Sequence, residues 1–412
     1  MTRGISFEHL PDDDWRTRAG DVIPGGSSTG SKRPDALYGT RALDAVVPSH
    51  YERAEGCRVW STDGRSFVDC GMALGAVGIG YADPSITAAV VNAATTGSVS
   101  SLPHRLEVEV AEALVDVIPC AEQVRFLRTG AEASAAAIRL ARTYTGRERI
   151  IACGYFGWLD WNSDARGVSE QVKQQVTWVP FDDVRALDAA MAAGEAPAAI
   201  IIEPLVHEIA SPAWLTAARR AADAAAAMLI FDEVKTAFRV RTGGVQALHG
   251  ITPDLTTLGK AMANGYPLAA VVGRADVMSA AMRTWISSTA AAETTGLAAA
   301  RAVLEWHGRV DVCDRMATAG GLLQEIIGSA LTEAPWVGVK AEGPPMMWRL
   351  TAEVPEQLDA LVAAAAREGV LLKRGAYQFG AVAHDDAALD DVARVMPAVM
   401  ESLMPGPRRV GD

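Results

Sequence analysis

Between residue 76 and about residue 310, short apolar runs alternate with longer stretches whose apolar residues have a helical spacing. The helical stretches include SITAAVVNAATT, EVEVAEALVDVI and EASAAAIRLARTYTG. The strand-like runs are QVRFL, RIIAC, QVTWV, AAIIIEP, AMLIFDE and LAAVVG. Strands that alternate with helices form a mostly parallel sheet that is covered on both faces. This alternation therefore predicts an α/β fold with one large domain.

The segments on either side of this region have different residue patterns. Residues 1 to about 40 are polar and contain PGGSSTGSKRPD, which predicts an arm or a loosely packed segment. The stretch AEGCRVWSTDGRSFVDCG alternates around Asp63-Gly64, which predicts a hairpin. After about residue 311 follow the strand PPMMWRL and the helices PEQLDALVAAAAREG and DDAALDDVARVMPAVMESL. We predict an arm at 1–40, a large domain at 76–310, and a smaller α+β domain built from 41–75 and 311–412.

Composition excludes several classes of protein. The net charge of −12 argues against nucleic acid or an anionic membrane as the main partner. The five cysteines are scattered and form no C-x-x-C pair, which favours reduced thiols over disulfides or a zinc site. The N-terminal stretch carries charges where a signal peptide needs an apolar core, and no apolar run is long enough to span a bilayer. We expect a soluble, cytoplasmic protein with no metal site.

Polar residues follow several of the predicted strands, at the edge where open parallel sheets bind ligands. They include Gly154-Tyr155, Glu203 and Asp232. In LRTGAEAS, the backbone N–H groups of residues 129–131 would lie at a helix N-terminus and form an anion site suited to a phosphate. The alternative is an ordinary turn in which Thr129 is the N-cap.

The stretch FDEVKTAFR places two carboxylates and a lysine after a buried strand. A buried Asp232 needs a cationic partner, since an isolated buried carboxylate is costly. A protonated ring nitrogen of a cofactor would satisfy it, and so would an ion pair with Arg239 or Lys235. Lys260, in TTLGKAMANGYPLAAVVG, lies in a glycine-flanked turn after a strand. A partly desolvated lysine there loses its proton and attacks a carbonyl more readily, whereas the plain alternative is a surface lysine.

A phosphate turn, an aromatic loop, a strand-end carboxylate and a glycine-flanked lysine are together the parts of a pyridoxal phosphate (PLP) site. The chain resembles the class III (subgroup II) aminotransferases of PLP fold type I, and is closest in appearance to glutamate-1-semialdehyde aminomutase-like enzymes. The stretches that carry this resemblance are FLRTGAEASAAAIRLARTYTGRERI, GYFGWLDW, IIEP, LIFDEVKTAFR and TTLGKAMANGYPLAAVVG.

The resemblance implies a role for each matching residue. Lys260 would form a Schiff base with PLP and later move the proton between carbon centres. Asp232 would keep the pyridine nitrogen protonated, while Tyr155 stacks on the ring and Val234 covers its other face. Thr289, in WISSTAAAETTGLAAA, would reach the phosphate of a neighbouring subunit, which implies a homodimer. The predicted cofactor-binding residues are Thr129, Gly130, Ala131, Tyr155, Phe156, Glu203, Asp232, Val234, Lys260 and Thr289.

The chain departs from the family pattern at several positions. Phe156 replaces the His of Tyr-His-Gly and keeps a flat face for stacking, and Ala131 replaces a frequent hydroxyl residue. Glu293 lies in the stretch that usually reads Thr-x-x-Gly-Asn-Pro, a variant that resembles a subset of bacterial, partly natural-product enzymes. Lys235 lies where relatives usually carry Gln or Met. If a strand continues to Val234, Lys235 points away from it, and we expect contact with Glu203 or a neighbouring loop instead.

Substrate contacts are less constrained by the sequence. The candidate carboxylate clamps are Arg105, Arg128, Arg239 and Arg374, and for each the alternative is a structural ion pair. Trp158 and Trp161, with the Asp-Glu-Val-Lys variant, resemble aminotransferases that act on amino sugars in antibiotic pathways, although tryptophans also pack loops. We take Trp158, Lys235 and Arg374 as substrate candidates, and His207 and His384 as structural.

Three functions follow from these observations. The first is an aminotransferase that moves an amino group from an amino-acid donor to a ketone or aldehyde by ping-pong half-reactions. The second is a glutamate-1-semialdehyde-type 2,1-aminomutase, which moves the amine between neighbouring carbons. The third, a nicotinamide-dependent oxidoreductase or a binding protein, is disfavoured because no G-x-G-x-x-G follows the first strand of a βαβ unit.

Overall fold

A computed structural model describes residues 11–39 and 47–404. These residues divide into two compact units. The small unit holds the described residues up to Gly75, then Gly80–Asp83, and those from Arg315 onward, whereas the large unit holds Ala76–Ile79 and Pro84–Asp314. Parts of the predicted arm and of the first small-domain segment, residues 1–10 and 40–46, lie outside the described residues. We keep 1–40, 41–75, 76–310 and 311–412 as proposed domain limits.

Both units combine strands with helices. In chain order, the strands are β1 (Tyr51–Glu55), β2 (Arg58–Ser61), β3 (Ser66–Asp69), β4 (Gln123–Leu127), β5 (Ile150–Cys153), β6 (Val176–Trp178), β7 (Ala199–Ile202), β8 (Met228–Asp232), β9 (Leu255–Leu258), β10 (Ala269–Gly273), β11 (Val339–Glu342), β12 (Met347–Ala352), β13 (Val370–Leu371) and β14 (Tyr377–Phe379). The α-helices are α1 (Asp12–Val22), α2 (Pro34–Tyr38), α3 (Met72–Gly75), α4 (Pro84–Thr95), α5 (Arg105–Val117), α6 (Gly130–Thr145), α7 (Glu170–Lys173), α8 (Val184–Ala192), α9 (Pro212–Ala225), α10 (Gly244–His249), α11 (Ala275–Met278), α12 (Thr294–Arg309), α13 (Val312–Glu333), α14 (Pro355–Arg367) and α15 (Asp386–Ser402). No helix of the described residues is long and apolar enough to cross a membrane.

The large unit is built on a seven-stranded sheet in the order β4-β10-β9-β8-β7-β5-β6. Strands β6, β5, β7, β8 and β9 pair in parallel, while β10 is antiparallel to both of its neighbours, β9 and β4. The mostly parallel sheet is therefore confirmed, with β10 as the reversed strand. All six predicted runs form strands, and β9 is the strand that was expected before Lys260.

One apolar core cluster of the large unit lies between this sheet and the alanine face of α6. Central strands β5, β7 and β8 are buried along their whole length, as expected for parallel strands covered on both faces. Helix α6 presents Ala133, Ala136 and Ala137 to the same cluster. These small side chains let the helix approach the sheet closely, which fixes the N-terminus of α6 beside the strand ends.

The small unit contains two sheets, β1-β2-β3-β13 and β11-β12-β14. The hairpin predicted around Asp63-Gly64 is confirmed as β2 and β3, and so are the strand at β12 and the helices α14 and α15. Within the predicted arm, helix α1 is anchored at its start. Buried Asp12 accepts hydrogen bonds from the backbone N–H groups of Ser49 and His50.

Candidate active site

Strands β4, β5, β7, β8 and β9 of the large unit end at one edge of its sheet, and five of the predicted site residues lie there. Thr129 comes after β4, Tyr155 after β5 and Glu203 directly after β7. Asp232 is the last residue of β8, and Lys260 follows β9. Because these strands run in the same direction, the fold brings their polar ends together. All five residues belong to the large unit.

The turn between β4 and α6 is closed by a capping box. Thr129 Oγ1 accepts from the backbone N–H of Glu132 at 3.3 Å, and the Glu132 carboxylate accepts from that of Thr129 at 2.9 Å. Thr129 is therefore the N-cap of α6, which leaves the predicted phosphate site open. We find no acceptor in the described chain for the backbone N–H groups of Gly130 and Ala131, the first two residues of the helix. They are donors available to an anion at a helix N-terminus.

Two glycines let neighbouring segments pack against this turn. A Cβ built on Gly130 would lie 2.9 Å from Val234 Cγ1. A Cβ on Gly157, where φ is +93°, would lie 2.4 Å from the Cβ of Ala131. Both distances are too short for a real side chain, so the close approach of Val234 and of the aromatic loop requires glycine at each position.

Asp232 is a buried carboxylate with spare acceptor capacity. It is 4% exposed, and one of its oxygens accepts from the backbone N–H of Val234 at 3.1 Å. Desolvation raises its pKa to about 7, and nearby Glu203 adds to this; the Val234 N–H, Lys260 and Lys235 oppose it. Among the described residues it forms no ion pair, so neither expected protein partner, Arg239 or Lys235, pairs with it.

Lys260 begins a short 3₁₀ turn, Lys260–Ala263, with φ of 50°. That conformation is uncommon for a residue with a side chain and persists only where the surroundings impose it. Burial, followed by the charge of Lys235, lowers the pKa of its amine to about 8. The amine has neither a hydrogen bond nor an ion pair with any described residue. It is therefore an amine that loses its proton easily and is available to a ligand.

Lys235 forms an ion pair with Glu203, with 2.6 Å between Nζ and Oε1. The side chains are 10% and 4% exposed. The other oxygen of Glu203 accepts from the backbone N–H of Tyr155 at 3.1 Å. The expected contact between Lys235 and Glu203 is confirmed. The alternation argument does not apply, because β8 ends at Asp232 and residues 234–236 form a turn.

The aromatic loop separates into exposed and buried side chains. Tyr155 and Trp158 are 70% and 76% exposed. Phe156 is 2% exposed, and its ring centroid lies 5.6 Å from that of Trp161 and 6.2 Å from that of Trp178. The expectation that Phe156 offers a flat face to the cofactor is thus corrected: its ring is used in the core. Trp161, 8% exposed, is likewise a packing residue rather than a stacking surface.

Comparison with known proteins assigns the family. Residues 40–379 match the family model described as aminotransferase class-III. The chain belongs to the class III aminotransferases. Over 407 residues it is 31% identical to a 3-aminobutyryl-CoA aminotransferase of Cloacimonas acidaminovorans (strain Evry), covering 93% of this chain and 94% of the relative. Over 418 residues it is 32% identical to a glutamate-1-semialdehyde 2,1-aminomutase of Laribacter hongkongensis (strain HLHK9), covering 92% and 96%.

The fold of this class III aminotransferase agrees with the assignment. The PLP internal aldimine form of the FumI protein of Sphingopyxis sp. MTA144 superposes with a TM-score of 0.89 at 26% identity, covering 95% of this chain and 96% of that one. The protein is therefore a PLP-dependent aminotransferase of fold type I, and its cofactor is pyridoxal 5′-phosphate. No group of His, Cys, Asp and Glu side chains in the described residues is arranged to hold a metal ion.

The arginines considered as carboxylate clamps and the buried His384 form contacts within the protein. Arg105 pairs with Glu109, Arg128 with Glu293 and Arg374 with Asp359, so the structural ion-pair alternative is found for all three. Arg374 lies in the small unit. His384 Nδ1 accepts from the backbone N–H of Ala381 at 3.0 Å, and burial lowers the pKa of its ring to about 4. These contacts agree with a structural His384.

Two residues that shape the site were given no role from the sequence. Glu233 is fully buried and accepts from the hydroxyl of Thr236 and the backbone N–H groups of Val245 and Gln246, which fixes the turn that carries Lys235. Asn264 accepts from the backbone N–H groups at residues 78 and 79 and so anchors the turn after Lys260. Glu233 could have been assigned a role from the sequence, because it is a second carboxylate directly after Asp232. Asn264 could not, because its hydrogen-bond partner lies 186 residues away in the chain.

Proposed function

We propose that this aminotransferase moves an amino group from an amino-acid donor to a ketone or aldehyde, in ping-pong half-reactions, with Lys260 as the catalytic lysine. The observation that carries the proposal is the unpaired, partly buried amine of Lys260 at the same sheet edge as a buried carboxylate, Asp232, that also has a free oxygen. Unpaired groups of opposite type that are shielded from water are costly unless a ligand engages both.

The residues present fit PLP at three points. The N–H groups of Gly130 and Ala131 would hold the phosphate, and the free oxygen of Asp232 would accept from the ring nitrogen. Lys260 would hold the cofactor covalently through Nζ. Glu203 belongs to the site indirectly, since it fixes the backbone of Tyr155. When bound, PLP supplies an electron sink for the carbon that carries the amino group.

The side chains then have separate tasks in amino transfer. Asp232 would keep the ring nitrogen of the cofactor protonated, because burial strengthens the attraction of its carboxylate for a cationic donor. Nζ of Lys260 would take the proton from the substrate carbon and return it to the neighbouring centre, a role for which a pKa of about 8 is suited. Val234, packed against Gly130, would close one side of the ring, and Tyr155 the other.

We propose a homodimer in which Thr289 reaches the partner's cofactor. Thr289 is exposed and lines a groove of about 430 Å³ formed by segments 96–104 and 286–294. Large apolar side chains near this groove are exposed, including Leu102 at 77% and Trp285 at 78%. Such a surface supports association with another chain. We also propose a cytoplasmic location, which the free, buried state of all five cysteines supports.

For the substrate, we propose a carbonyl compound of bacterial secondary metabolism, such as an oxidised sugar that becomes an amino sugar. Trp158 supports this, since its exposed indole offers a flat apolar face of the kind that stacks on sugars. Lys235 and Arg374 are less available to bind a substrate carboxylate, because each already forms an ion pair. The alternative remains a 2,1-aminomutase, in view of the 32% identity to the Laribacter enzyme.

The test is a donor half-reaction. Holoenzyme is mixed with glutamate, alanine, a β-amino acid, an amino sugar and an amino-aldehyde, while the cofactor absorbance and any released keto product are followed. We expect at least one donor to change the absorbance and release its carbonyl product, and Lys260→Ala to do neither. Isomerisation of the amino-aldehyde without any free carbonyl product would establish the aminomutase instead.

A further inference from the structure

We propose that the hydroxyl of Thr257 donates a hydrogen bond to the carboxylate of Asp232 and so helps it to hold the cationic ring nitrogen of the cofactor. This inference rests on the proposed role of Asp232 and adds a second residue to it. Thr257 acts through Asp232, not on the substrate or the cofactor, and is therefore a positioning residue rather than a catalytic one.

Thr257 and Asp232 are paired residues of neighbouring strands. In the parallel pairing of β8 with β9, Asp232 lies opposite Thr257, and the backbone N–H of Glu233 donates to the carbonyl oxygen of Thr257 at 3.0 Å. Paired strands lie about 4.8 Å apart, and side chains that are opposite each other share one face of the sheet. The two side chains are therefore direct neighbours at the carboxyl end of the sheet.

The core packing identifies the face that they share. Two residues earlier in each strand, Ile230 pairs with Leu255, and both belong to the apolar cluster that α6 covers. On the other side of β9, Thr257 pairs with Val271, which belongs to the same cluster. Because side chains alternate along a strand, Asp232 and Thr257 also lie on the α6 face. Of the two residues that pair with Thr257, only Asp232 is polar.

The hydroxyl of Thr257 is fully buried and has no hydrogen-bond partner among the described residues. The adjacent Thr256 is equally buried, but it lies on the opposite face, and its hydroxyl oxygen accepts from Gln246 Nε2 at 2.9 Å. A buried hydroxyl without a partner destabilises a folded protein, whereas valine has nearly the same shape and also favours strands. Packing and strand propensity therefore do not explain the hydroxyl of Thr257.

The carboxylate of Asp232 can supply the missing partner. A carboxylate has about four acceptor sites, and the backbone N–H of Val234 occupies one of them. A side-chain rotation that directs the Thr257 hydroxyl to Asp232 lets it donate to another. Hydrogen bonds to an ionised acceptor are about twice as strong as neutral ones, so the bond favours the ionised form of Asp232, which is the form that holds a cation.

The test compares Thr257→Val with Thr257→Ser, which keeps a hydroxyl, and with Thr256→Val as the matched control on the other face. Equilibrium binding of PLP and the Tm of the cofactor-free protein are measured for each full-length variant. We expect Thr257→Val to bind PLP about tenfold more weakly, because Asp232 loses a donor, and to have a Tm no lower than the wild type. Thr257→Ser should bind PLP nearly as the wild type does. Thr256→Val should lower the Tm, because the Gln246 amide loses its acceptor, and leave PLP binding unchanged.

A double-mutant cycle with Asp232→Asn shows whether Thr257 acts through the carboxylate. We expect the tenfold effect of Thr257→Val on PLP binding to disappear when residue 232 is changed to asparagine. Unchanged PLP binding by Thr257→Val, with or without a lower Tm, or the same weakening in both backgrounds, would overturn the proposal. PLP binding by Asp232→Asn alone that equals the wild type would defeat the proposed role of Asp232, and this inference with it. If Thr257→Val does not fold, Thr257→Ala and Thr257→Ser decide, because both remove the methyl group and only serine keeps the hydroxyl.

Discussion

Asp232 and Lys260 each lie in surroundings that oppose their charged forms. The pKa of the carboxyl is raised to about 7 and that of the amine is lowered to about 8, in both cases chiefly through burial. A sequence selected only for stability would not keep two such groups without partners. The free-energy penalty is offset when a ligand supplies a cationic donor to Asp232 and a carbonyl carbon to Lys260.

Asp232→Asn should therefore stabilise the cofactor-free protein above neutral pH. The folded-state pKa of Asp232 is about 7, against 3.8 for the unfolded chain, so wild-type stability declines between about pH 4 and pH 7. Asparagine does not ionise, so the variant lacks this pH-dependent loss of unfolding free energy, which is on the order of a few kcal/mol. We expect equal Tm values near pH 4, a higher Tm for the variant at pH 8, and weaker PLP retention. A Tm difference that is the same at both pH values would contradict this.

Side-chain direction was the hardest property to predict at the level of single residues. Phe156 was expected to face the cofactor because it replaces a histidine of the family pattern, but an apolar ring gains more by packing against Trp161 and Trp178. Strand alternation could not give the direction of Lys235, because this residue lies in a turn three residues after the end of β8. Asp232, by contrast, was predictable, because it follows an uninterrupted apolar run.

At the scale of elements, the site depends on how closely turns approach each other. We predict that Gly130→Ala weakens PLP binding at least tenfold and lowers stability, because the new methyl group would lie 2.9 Å from Val234. Gly308→Ala is the matched control, since this helical glycine has no neighbouring atom within 4 Å. Equilibrium binding of PLP and Tm are measured for both. Equal behaviour of the two variants would show that this close contact is unimportant.

The capping box of α6 gives a separate prediction. Thr129→Ala removes the hydroxyl that accepts from the Glu132 N–H and should cost roughly 1 kcal/mol of unfolding free energy. Thr129→Ser keeps the acceptor and should cost much less. Denaturant unfolding of both variants measures the difference. The account of the cap would be wrong if serine and alanine had the same effect.

The elements themselves were largely predictable, and their pairing less so. Six apolar runs that lie between helical stretches correctly predicted six strands of the large sheet. Strand β9 was expected only as the strand before Lys260. Its apolar pattern is weaker because two of its four residues are threonines, which are buried in the sheet, with Thr256 accepting from Gln246. The reversed direction of β10 has no signature in its own residues, since it depends on pairing with β4 and β9.

At the scale of the whole molecule, the proposed homodimer is tested at the exposed apolar side chains of the large unit. We predict that wild-type protein sediments as a dimer and that Trp285→Glu, which puts a charge on a 78% exposed indole, weakens association at least tenfold. Tyr51→Glu, at a 67% exposed aromatic residue of the small unit, is the control. A monomeric wild type, or equal dissociation by both variants, would contradict the homodimer.

The lysine that holds the cofactor can be located directly. Holoprotein is reduced with borohydride, digested, and searched by mass spectrometry for the pyridoxyl group. We predict the label on the peptide that contains Lys260, in wild type and in Lys235→Met alike, and no label in Lys260→Ala. A label on Lys235, or retention of the label in Lys260→Ala, would contradict it.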